Sequence, residues 1–122
     1  MHHQGLAGRS VLIVEDEPLV ALDIIRAFES AGAQVMAVRS LAEAKCLVEQ
    51  NNLSAAVLDL GLGDGDTDEL CVRLYQRAIP FVLHSGYDHP GEGCSRGIVI
   101  PKPANPQTIV DALSKSLATR RH

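Results

Sequence analysis

Residues 10–20 read SVLIVEDEPLV: an apolar run passes straight into three carboxylates and then a proline. Val11 to Val14 form the kind of short apolar run that a buried strand uses, too short for a helix of its own. Glu15, Asp16 and Glu17 crowd like charges where that strand would end, and Pro18 suits the first turn of a helix. From there the period changes. At 100° per residue Ala21, Ile24, Ile25 and Phe28 share a face, with Asp23, Arg26, Glu29 and Ser30 opposite, the pattern of a helix with one buried side. Leu19 and Leu22 project on or near the polar side and are expected to be exposed. A buried strand followed at once by an amphipathic helix is the unit from which α/β folds are built.

The unit recurs along the chain. Strand-like runs fall at 10–14, 34–38, 55–58, 81–84 and 98–100, and helix-like stretches at 18–31, 41–50, 66–78 and 106–119. This alternation predicts an α/β fold with a parallel sheet. Asp66 followed by Glu69 reads as an N-cap with its N3 partner. The interval 87–97, YDHPGEGCSRG, has three Gly, one Pro and no apolar stripe, so the fourth helix is expected to be irregular or shortened. A chain of 122 residues suits one domain. Residues 9–119 are read as that domain, 1–8 as a flexible tail and 120–122 as a short C-terminal one.

Composition narrows the function classes. Hydrophobic residues make up 46% of the chain, and with no Trp, two Phe and two Tyr the core must be aliphatic. A net charge of −4 without a basic stripe argues against a nucleic-acid surface. No apolar run approaches the length of a membrane span, and the first nine residues lack the apolar stretch of a signal peptide. Cys46, Cys71 and Cys94 are odd in number, widely spaced and form no CxxC, which argues against a zinc site or a disulfide framework. A reduced, cytoplasmic protein is the expectation.

Acids gather a second time where the third strand ends in Asp59. Parallel α/β sheets bind ligands beyond the carboxyl ends of their strands. In a 2-1-3-4-5 order the first and third strands adjoin, which places Glu15, Asp16 and Asp59 at one site. Three clustered carboxylates raise one another's pKa unless a cation neutralises them, and a few protein oxygens suit Mg²⁺, which keeps several waters. The fourth strand runs into Ser85-Gly86 and the fifth into Lys102-Pro103, so a hydroxyl and a cation reach the same edge. An EF-hand reading of DLGLGDGDTDEL fails because the sixth position from Asp59 is Asp64, not Gly. Neither a G-x-G-x-x-G nor a P-loop ending occurs in GLGDG. His84 reads as a strand-end packing residue.

LIVEDEP, AAVLDLGLGDG, HSG and PKP, in this order between Arg9 and Leu117, resemble the receiver domain of two-component response regulators. The resemblance implies a flavodoxin-like (βα)5 doubly wound sheet of order 2-1-3-4-5. It implies that Asp59 accepts a phosphoryl group from a phosphohistidine on a sensor histidine kinase or phosphotransfer protein. Asp16 and Asp59 would bind Mg²⁺ through carboxylates, Gly61 through its carbonyl and Glu15 mainly through water. Ser85 would hydrogen-bond the phosphoryl group, and Lys102 would pair first with Asp59 and then with a phosphoryl oxygen. The Lys102–Pro103 bond would be cis. Such a protein is a stand-alone receiver and not a stand-alone enzyme: it turns over only its own acyl phosphate. It signals by phosphorylation-dependent binding of a downstream protein or acts as a phosphate sink, with no nucleic-acid or membrane partner.

The chain also departs from the pattern. Gly-Leu-Gly-Asp-Gly follows Asp59 where many receivers carry Met and Pro, and Ser85 stands for the usual Thr. Val99 occupies the position where many receivers place an aromatic switch, so Tyr87 becomes the switch candidate. Leu19 and Leu22 are the kinase-docking candidates. PFVLHSGY partly resembles the PFxFATGY-type motif of a single-domain subgroup. Two other readings compete. A degenerate receiver, binding a partner without phosphate, is opposed by the intact set of Glu15, Asp16, Asp59, Ser85 and Lys102. A small Mg²⁺-dependent phosphohydrolase would need a cap or further domain to hold its substrate.

Overall fold

The apolar runs fold as strands and the amphipathic stretches as helices, in a computed structural model that describes residues 5–59, 67–85 and 92–119. In chain order the elements are β1 (Ser10–Val14), α1 (Pro18–Ser30), β2 (Gln34–Val38), α2 (Leu41–Gln50), β3 (Ala55–Asp59), α3 (Thr67–Gln76), β4 (Phe81–Ser85), a 3-10 turn (Glu92–Cys94), β5 (Ile98–Pro101) and α4 (Pro106–Thr119). All strand pairs are parallel and the order is β2-β1-β3-β4-β5. This is the doubly wound, flavodoxin-like sheet expected from the sequence, with four α-helices among the described residues.

Side-chain alternation divides the core in two. Val11, Ile13, Ala55, Val57, Val82 and Ile100 pack against Ile24 and Phe28 of α1 and against Ile109, Val110, Leu113 and Leu117 of α4. Leu12, Val14, Ala56, Leu58, Phe81 and Leu83 pack against Leu41, Ala44 and Val48 of α2 and Leu70 and Leu74 of α3. Because β1 and β3 are covered on both faces, they read as continuous apolar runs. Each fully buried Leu, Ile, Val or Phe here contributes roughly 1.5–3 kcal/mol.

Local chemistry sets the helix ends. Pro18 occupies the start of α1. Ser40 caps α2: its Oγ accepts from the Glu43 amide at 3.2 Å and donates to Glu43 Oε1 at 3.1 Å. α1 closes with the Ala33 amide on the Phe28 carbonyl and the Gly32 amide on the Glu29 carbonyl, both at 3.0 Å, with Gly32 at φ +95°. α3 closes in the same way, Ile79 onto Leu74 and Ala78 onto Tyr75, but here a non-glycine, Ala78, holds the left-handed φ of 58°.

Two features differ from expectation. Leu6, assigned by sequence to a loose tail, is fully buried beside Phe28 and Ala31, and its amide donates to the Ala31 carbonyl at 3.0 Å. Cys71 and Cys94 are joined in a disulfide, which corrects the reading that excluded one. Their 23-residue separation carries no local motif, and only folding the 3-10 turn onto α3 brings their Cα atoms to 5.0 Å, inside the range a disulfide spans. In the described part of the interval, 92–97, stands the 3-10 turn and no regular helix, in line with the expected shortening; Tyr87 and its neighbours lie outside the described residues.

Candidate functional site

β1 runs into Glu15, whose amide donates to the Val38 carbonyl at 3.0 Å and so extends the ladder with β2 by one residue. That bond holds the Glu15 side chain at the strand end with only 3% exposure, while Asp16, one residue on, faces solvent. β3 ends in Asp59, 4% exposed, next to β1 in the sheet. Glu15, Asp16 and Asp59 thereby bring one carboxylate oxygen each to within 4.8 Å of one another. Two of the three are buried. From the far side Lys102, just beyond β5, reaches Asp59 Oδ1 with its Nζ at 2.7 Å. The Lys102–Pro103 bond is cis, as expected.

The electrostatics of the cluster are those of crowded acids. Burial pushes the Glu15 carboxyl up to about 7, and its hydrogen bond with Asp59 pushes the same way; the Glu17 amide, donating to Glu15 Oε2 at 3.1 Å, and the Lys102 charge oppose the rise. One lysine does not neutralise three carboxylates. A divalent cation would, and the donor set fits Mg²⁺: hard oxygens only and few of them, with Asp16 exposed, so that waters would fill the remaining coordination.

The structure thus assembles Glu15, Asp16, Asp59 and Lys102 as the sequence indicated. Ser85 closes β4 opposite Pro101 of β5, at the same edge; its side chain lies outside the described part. Gly61, Asp66 and Tyr87 also lie outside the described residues. Leu19 is 77% and Leu22 39% exposed on the first turns of α1. Val99 is 47% exposed on β5.

Sequence reasoning missed the surroundings of His84. It pairs in register with Asp59 and is 5% exposed, yet neither ring nitrogen has a hydrogen-bond partner among the described residues. It lines a cleft of 240 Å³ with Val20, Asp23 and Ile24 of α1 and the 102–106 loop. Burial, with the Lys102 charge, holds its pKa below the usual value, so the ring is neutral near pH 7. A histidine beside an acid in a strand carries no pattern that distinguishes packing from an orphaned ring.

Comparison with known proteins agrees with this geometry. A family model described as the response regulator receiver domain matches residues 11–114. The phyllosphere-induced regulator PhyR of Methylorubrum extorquens is 29% identical over 114 residues; the match covers 88% of this chain and 43% of that protein, so the chain spans less than half of its relative. Among solved structures, a response regulator receiver protein from Sinorhizobium medicae superposes with a TM-score of 0.81 at 24% identity, covering 93% of this chain and 97% of that one. A CheY-like receiver domain protein from Methanospirillum hungatei gives 0.81 at 21% identity, covering 91% and 94%. These two similarities speak for the fold.

Proposed function

The chain belongs to the response regulator receiver domain family, and from that premise we propose that Asp59 is the phosphoacceptor. The carrying observation is the Lys102 Nζ at 2.7 Å from Asp59 Oδ1, beside two further carboxylates at the carboxyl edge of the sheet. An Asp59 oxygen attacks the phosphorus of a phosphohistidine on a sensor kinase or phosphotransfer protein. The O–P bond forms as the P–N bond breaks, and the donor imidazole, protonated at its other nitrogen, leaves with the electron pair. As a carboxylate, Asp59 needs no general base. Catalysis is then positioning and charge stabilisation of the equatorial oxygens. Lys102 releases Asp59 and follows a phosphoryl oxygen, while the Ser85 hydroxyl holds another.

Glu15, Asp16 and Asp59, with the Gly61 carbonyl, would hold Mg²⁺. Bound there, the ion supplies the positive charge that lets a phosphoryl group approach an acidic cluster. The protein is a signalling module that turns over only its own acyl phosphate. It signals through a downstream protein or drains phosphoryl groups as a sink, and it works in the cytoplasm. Among the described residues no helix is long and apolar enough to cross a membrane. Leu19 and Leu22, exposed at the site end of α1, would contact the kinase.

The test is labelling of Asp59→Asn with acetyl phosphate and Mg²⁺. The parent should take up phosphate and the variant, folded by circular dichroism, should not. Equal labelling of the two would remove Asp59 from this role.

A further inference from the structure

Cys71 and Cys94 sit outside the carboxylate cluster, both fully buried in the core layer beneath α2 and α3. Cys71 belongs to α3. Cys94 ends the 3-10 turn, nine residues after Ser85 leaves the site. The turn is seated on α3 at close range: a Cβ on Gly93 would stand 2.8 Å from the Asp68 carbonyl oxygen and 2.9 Å from Asp68 Cβ, so a larger residue would lift the turn away. The Gly97 amide donates to the Cys94 carbonyl at 3.0 Å, and Gly97 itself lies against the Phe81 ring. Glycine at both positions lets this short segment come near enough for the two sulfurs to meet.

The seat is equipped for two oxidation states. The Cys94 sulfur lies 3.4 Å from Asp68 Oδ1 and 3.8 Å from the Thr67 carbonyl oxygen. A thiol can donate to such acceptors and a disulfide sulfur cannot. Oxidised, Cys94 is bonded to Cys71; reduced, its thiol stands within hydrogen-bond reach of acceptors at the first turn of α3. In a reducing compartment, moreover, disulfides are transient, catalytic or redox-sensing.

We propose that Cys71 and Cys94 form a reversible redox site that sets how firmly residues 92–97 are held to α3. The reaction is thiol–disulfide exchange with a disulfide-bearing protein or small disulfide. One cysteine thiolate attacks the partner's disulfide and a mixed disulfide forms; the second thiolate displaces the partner as a dithiol. Two electrons and two protons pass from the pair to the partner, and a dithiol reductant reverses the step. The sulfurs are buried, so exchange proceeds when the turn lifts from α3. The consequence for signalling rests on the phosphoacceptor reading of Asp59; the redox site does not.

The experiment uses the full chain with Cys46→Ser, removing the exposed free thiol. The protein is equilibrated across ratios of oxidised to reduced dithiothreitol, quenched in acid, alkylated and weighed. The expected result is a single two-electron transition between states carrying no and two alkyl groups, reversible in both directions. Hydrogen exchange at residues 92–97 should be about tenfold or more faster in the reduced protein, and Cys94→Ser and Cys71→Ala should each match the reduced parent. A pair that stays reduced at every ratio, or equal exchange in both states, overturns the proposal. Acetyl phosphate labelling of both states separates the two readings. No labelling in either state defeats the phosphoacceptor role and leaves the redox site standing. Labelling in both, with the same phosphate-induced change in exchange at 92–97, defeats the link between them.

Discussion

Consider Glu15→Gln in protein stripped of divalent ions. The unfolded chain gives up the Glu15 proton near 4.5, whereas the folded chain holds it to about 7. Between those values the folded state binds more protons, so stability falls as pH rises and levels off above the folded pKa. At about 1.4 kcal/mol per pH unit, the interval from 4.5 to about 7 amounts to about 3 kcal/mol. Glutamine fills the same space, and its carbonyl can still accept the Glu17 amide bond, but it carries no charge to bury. The variant should therefore melt higher than the parent near pH 8, by up to about 12 °C at about 4 °C per kcal/mol for a chain of this size. Near pH 4 the two should coincide. Saturating Mg²⁺ should raise the parent more than the variant, because Asp16 and Asp59 remain in both while only the parent has the Glu15 charge to neutralise, and so should narrow the gap. Thermal melts followed by circular dichroism across this pH range, with and without Mg²⁺, provide the measurement. Melting curves that run parallel at all pH values, or a variant less stable near pH 8, would refute the reasoning.

Lys102→Ala should still label from acetyl phosphate but lose the phosphate-dependent change in hydrogen exchange, because it removes the cation that moves from Asp59 to the phosphoryl group; an unchanged exchange response would count against that role. Leu19→Glu should slow transfer from the cognate kinase without slowing labelling from acetyl phosphate, and at 77% exposure its melting temperature should shift by no more than about 0.5 kcal/mol allows; equal slowing of both reactions would exclude a docking surface. Ala78→Gly should stabilise the protein by up to about 1 kcal/mol in urea titrations, since the left-handed conformation costs a non-glycine roughly 1–2 kcal/mol and glycine returns part of that as unfolded-state entropy; α1 uses Gly32 at the equivalent point, and a loss of stability would show that the Ala78 methyl packs usefully.

What the sequence made legible was whatever lies within one element. The Val11–Val14 run, the apolar face of α1 and the acids at two strand ends are local patterns, and a parallel sheet converts strand ends into a common edge. Glu15, Asp16, Asp59 and Lys102 were found this way. What escaped depends on contacts between elements. Leu6 lies in a short stretch with no apolar period, and its burial follows from the turn that returns it to Ala31. The Cys71–Cys94 bond depends on how closely Gly93 lets one segment approach another. Only Ser40, with Glu43 three residues on, carried a readable signal that was overlooked, the capping box.

The strand order has a consequence for how the chain acquires its chemistry. β3 lies between β1 and β4, so its neighbours come from opposite directions along the polypeptide. Ser10 meets Ser54 across 44 residues, and Lys102 reaches Asp59 across 43. A parallel sheet offers no hairpin by which such partners could find each other early, and long loops must close before their contacts give anything back. Glu15, Asp59 and Lys102 therefore cannot meet in a half-assembled chain. While β5 is still undocked, Asp59 is an acid among acids, without the lysine that faces it in the finished sheet. Carboxylate and counter-charge come together only with the last strand, and a chain that has paired three strands holds the repelling acids without the cation that offsets them.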